Sequence, residues 1–92
     1  MPEVRFTIRW PDGTRRDCYS PSTVIREHLV SGAVLPLPVF LATIRTGLGA
    51  ASRRVEERYG RPCGIVAREL AEIESTARRQ SAEGHVTVES LS

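Results

Sequence analysis

Between residues 10 and 22 the chain reads WPDGTRRDCYSPS. The side chains there with chemistry to offer are Trp10, Asp17, Cys18, Tyr19, Ser20 and Ser22. A cysteine attacks or binds metal as its thiolate, and a position just before a helix N-terminus favours that form. Hydroxyls and a carboxylate around unpaired N–H groups suit the capture of an anion or a carboxylate. The same residues also have ordinary work as a turn, a return strand and a helix cap. Single cysteines are among the most buried residues, so an inert Cys18 is the simpler expectation. The six mark a candidate ligand or partner surface, and no catalytic set is assigned.

Three other patterns bear on chemistry. Exposed by loss of Met1, Pro2 would be a terminal secondary amine, the general base that tautomerases use, with Arg5 or Arg9 lowering its pKa. Those enzymes follow their first strand with a helix, whereas Pro11-Asp12-Gly13 makes a hairpin here, so the motif lacks its context. Cys18, His28, Cys63 and His85 are far apart, without the close pairs that zinc sites draw on, so neither a metal nor a cofactor is expected. GLGAAS, residues 47–52, has the glycines of a dinucleotide loop, but it lies inside a helical pattern with no strand before it. Two glycines in a helix cost about 1 kcal/mol each relative to alanine. Small residues at 47, 50 and 51 are better explained by the close approach of another segment.

These residues depend on the elements that carry them. Val4, Phe6, Ile8 and Trp10 alternate with Arg5, Thr7 and Arg9, the mark of a half-buried strand. Pro11-Asp12-Gly13 closes a turn, and a second strand over about Thr14–Tyr19 returns, with Arg15 and Arg16 on opposite faces. Ser20 or Ser22 caps a short helix with Pro21 in its first turn. Val24, Ile25, His28 and Leu29 form its inner face, and Ser31-Gly32 ends it. AVLPLP reads as an extended segment against the core.

A long helix starts near Pro38, with a stripe of Leu41, Ile44, Leu48, Ala51 and Val55 widened by Phe40 and Tyr59. Gly60 ends it. Pro62 opens a second helix carrying Cys63, Val66, Leu70, Ile73 and Ala77, so the two form an antiparallel hairpin. Arg68/Glu72 and Glu74/Arg78 are spaced to pair along its outer face. HVTVE alternates again as a terminal strand, able to join its own sheet or that of a second subunit. The whole is a single α+β domain over residues 1–92: an N-terminal β-hairpin, a short helix, an antiparallel pair of long amphipathic helices and a short C-terminal strand.

A chain of 92 residues buries only about 60–65% of its unfolded surface, so a lone copy is marginal. The apolar seams and the terminal strand then predict a homodimer or higher homo-oligomer. All thirteen basic residues are arginine, but eleven acids are scattered among them and the net charge is +2. Without a stripe of one sign, nucleic acid is not an expected partner. No apolar run is long enough for a signal or a membrane span. The chain is therefore expected in the cytoplasm with reduced thiols.

RFTIRWPDG at the start, CYSPS at the helix entry, and AASRRVEERYG with a cysteine three residues on resemble the small bacterial nitrogen starvation response proteins. The likeness runs from residue 1 to about residue 75. It departs after Gly60, where an aromatic residue would be expected and Arg61-Pro62 stands. The resemblance implies a gene cluster with a nitrilase, a radical SAM enzyme, an acetyltransferase, an AIR-synthase-like protein and a flavoprotein, serving nitrile or cyanide assimilation. It brings no catalytic residues with it. The expected function is a non-catalytic accessory protein of that nitrilase-type pathway, a small homo-oligomer binding a pathway enzyme or ligand. The alternatives are a small enzyme or ligand-binding protein using Cys18 or Pro2, and a nucleic-acid-binding regulator.

Overall fold

A computed structural model describes residues 3–61 and 64–91 of the chain. Pro2, Pro62 and Cys63, to which the sequence assigns roles, lie outside the described residues. Strand β1, Val4–Arg9, pairs antiparallel with β2, Arg15–Ser20, in a register that sets Phe6 opposite Cys18 and Thr7 opposite Asp17. The turn between them uses Gly13 at φ +90°, where a Cβ would be strained. Trp10 N–H donates to the Thr14 carbonyl at 2.8 Å, closing the hairpin. Val4, Phe6, Ile8 and Trp10 are all buried, as their alternation predicts.

The short helix is a 3-10 turn, Thr23–Glu27, rather than a helix running to Ser31. Three β-branched residues in a row, Thr23, Val24 and Ile25, disfavour longer α-helix. Ser22 is its cap, which leaves Pro21 outside the helix instead of in its first turn. Ile25 and Leu29 are buried, while Val24 and His28 are half-buried. The AVLPLP segment supplies a strand of its own, β3, Val34–Pro36.

Helix α1, Leu37–Tyr59, follows at once with Pro38 in its first turn, where a missing N–H is harmless. It ends at Gly60, φ +77°, whose N–H bonds Glu56 O at 2.7 Å. Phe40, Ile44, Leu48 and Ala51 are buried, and Phe40 meets the edge of Trp10 at a centroid distance of 5.8 Å. Phe40, Ile44 and Leu48, fully buried, each contribute about 1.5–3 kcal/mol. Tyr59 does not widen the stripe: it is 58% exposed, in a last turn, residues 56–60, that is exposed throughout. Helix α2, Gly64–Ala77, packs against α1 and buries Val66, Ile73 and Ala77. Its acids reach to other elements instead of along the helix, Glu72 to Arg16 and Glu74 to Arg45.

The terminal strand β4, His85–Leu91, is longer than HVTVE and is central. The sheet order is β2-β1-β4-β3, every pair antiparallel, so β4 joins the sheet of its own chain. Its apolar residues fall at 86, 88 and 91, which breaks a period of two. The register with β1 shifts between Thr7 and Ile8, setting Ser90 opposite Thr7 and Leu91 opposite Phe6. One extra residue in β4 thereby returns Leu91 to the core side. The result is an α+β fold with helices on one face of a four-stranded sheet. Among the described residues no helix is long and apolar enough to cross a membrane.

Candidate functional site around strand β2

The two faces of β2 have different chemistry. Cys18 points into the core at 3% exposure. Burial pushes its thiol up to about 12, although the neighbouring Arg16 pulls the other way. The helix N-terminus that would favour a thiolate is a short 3-10 turn, and its Val24 N–H is already taken. Ser22 Oγ accepts from Val24 N at 3.2 Å, and the buried Ser20 hydroxyl donates to Ser22 O at 2.8 Å. Both hydroxyls are spent on the corner between strand and helix.

Arg16 lies on the same inward side, two residues from Cys18. Its guanidinium Nη2 reaches Glu69 at 3.3 Å and Glu72 at 2.8 Å on α2, while Nε is buried without a partner. Glu69 also accepts from the Tyr19 backbone N–H at 3.3 Å. This cluster escapes a reading of the sequence, because Glu72 is also four residues from Arg68. The available signal was the parity of β2: an inward arginine needs carboxylates from whatever covers that face.

The outer face of the sheet is a row of polar pairs. Thr7 Oγ1 donates to Asp17 at 3.0 Å, and Arg5 lies over the Tyr19 ring at 6.0 Å. Glu89, the residue at the β4 irregularity, receives both Arg9 at 2.8 Å and Arg15 at 2.9 Å. An open depression of about 620 Å³ is lined by Thr7, Arg15, Asp17, Glu89 and Ser90. A second, of about 430 Å³, extends to Tyr19 and Glu69 at the sheet's edge.

The six candidate residues therefore separate. Asp17 and Tyr19 share the outer face; Trp10 and Cys18 are core, and Ser20 and Ser22 form the capped corner. Among the described residues, no three His, Cys, Asp or Glu are grouped to hold a metal. Gly47 lies within α1 beneath Ile25 and His28, so the close approach expected of GLGAAS is made by the 3-10 turn.

A family model described as nitrogen starvation-induced protein NitG matches residues 5–91. The chain belongs to the NitG family. Membership extends past the stretch of resemblance to take in β4, and it ties the chain to nitrogen starvation. No curated protein and no solved structure matches the chain. Within this NitG-family fold, the outer sheet face and the β2 edge carry the polar side chains described above.

Proposed function

We propose that the chain is a non-catalytic accessory protein of a nitrogen-starvation-induced nitrilase-type pathway, a small homo-oligomer that binds a pathway enzyme. The observation that carries this reading is the state of the reactive groups around β2. The Cys18 thiol is held protonated in the core, and the Ser20 and Ser22 hydroxyls are engaged in the corner. What faces solvent is a surface of paired charges, suited to recognising another protein by electrostatic complementarity. The test is co-purification of the tagged chain with each enzyme of the nitrilase cluster. A stable complex with one of them, weakened by Arg9→Glu on the outer face, is the expected result. Failure to associate with any of them overturns the proposal.

A further inference from the structure

The two edges of the sheet are built differently. The β3 edge is three residues long and ends in Pro36, which has no N–H to offer. Such blunting discourages pairing with another chain. The β2 edge has six residues with neither proline nor bulge. Trp10 N–H bonds Thr14 O, so the main chain of Trp10 faces β2. Antiparallel pairs alternate. Hence Ile8/Arg16, Phe6/Cys18 and Val4/Ser20 exchange bonds, while the N–H and C=O of Arg15, Asp17 and Tyr19 point out of the sheet. The Tyr19 N–H, directed to Glu69, agrees with this parity.

We infer that β2 is the seam of a symmetric dimer, in which it pairs antiparallel with β2 of a second copy about a two-fold axis at Arg16. This inference rests on the oligomer reading proposed above. Three registers engage at least two of the outward residues, and charge together with the occupied Tyr19 N–H decides among them. Centring on Asp17 sets two carboxylates face to face, which is unfavourable. Centring on Cys18 requires the Tyr19 N–H, which Glu69 occupies. Centring on Arg16 lets Arg15 and the second copy's Asp17 exchange main-chain bonds and sets their opposite charges side by side, twice by symmetry. The two Arg16 side chains then face each other across the axis as like charges, but each is neutralised by its own Glu69 and Glu72, whereas, among the described residues, Asp17 has only the Thr7 hydroxyl against it. The dimer sheet would be continuous, with both helical layers on one side and both polar faces on the other.

Sedimentation of the full chain over a concentration series tests this, with two single variants. Asp17→Arg opposes arginines at both symmetric contacts, and Arg15→Asp opposes carboxylates; each should weaken self-association roughly a hundredfold. Mixed in equal amounts, the two variants become complementary at every contact and should form a heterodimer. Asp17→Pro gives a charge-independent check. It removes an outward N–H without touching the β1 ladder, and it should yield a folded monomer by thermal melt. Dimers that persist in all three variants overturn the β2 seam while leaving the oligomer reading intact. A wild-type chain that is monomeric throughout overturns both.

Discussion

Cys18 is the residue with the sharpest chemistry, and its surroundings turn that chemistry off. Reaction with a thiol reagent needs the thiolate, which the core disfavours. Modification of Cys18 in the folded chain should therefore proceed only as fast as the protein opens, and far more slowly than in urea, as thiol-labelling kinetics followed by peptide mapping would show. The same burial has a pH signature. A thiol raised from 9.0 to about 12 on folding contributes stability that is complete below about 9. That contribution is lost as pH rises through the folded value, since the unfolded chain releases the proton first. Cys18→Ala should flatten the fall in melting temperature above pH 9. An equally steep fall in the variant would assign it to other groups.

Elements meet here through small residues and short reciprocal contacts. A Cβ on Gly47 would collide with the Ile25 side chain and crowd His28. Alanine is the better helix former by about 1 kcal/mol, but overpacking at a tight contact costs about 1–3 kcal/mol. The clash should win because Ile25, fully buried, can move only into other core side chains, and the His28 Cβ crowds the same site at 3.2 Å. Gly47→Ala should then lower stability by up to about 2 kcal/mol in urea unfolding, whereas Gly49→Ala, with only the end of Arg53 nearby, should not. A similar junction holds the hairpin turn, where Gln80 Nε2 donates to Asp12 Oδ2 at 3.1 Å and Asp12 N donates back at 3.2 Å.

At the scale of the whole molecule, the last strand in the chain lies between β1 and β3. Its Val86 and Val88 are wholly buried. Without it, β3 has no partner strand and β1 loses the strand along its second edge, and a chain this small has little stability to spare. Truncation before His85 should leave no cooperative thermal transition by circular dichroism. Survival of a cooperative transition in that truncation would show that the first three strands and the helices suffice.

Much of this architecture was legible in one dimension because it rests on local periodicity. The alternation of VRFTIRW, the glycine at a positive φ in the turn, the α1 stripe and its Gly60 stop are each set within a few residues. Nitrogen starvation was legible as well, through long collinear segments shared with a family. Position across the sheet was not. That β4 enters between β1 and β3, that one extra residue returns Leu91 to the core side, and that Glu72 reaches Arg16 rather than Arg68 depend on residues distant along the chain. The separation of Asp17 and Tyr19 from Cys18 is the clearest case. Strand parity assigns them opposite faces, but only the packing of α1 and α2 decides which face loses water, and therefore which of these groups can meet a partner.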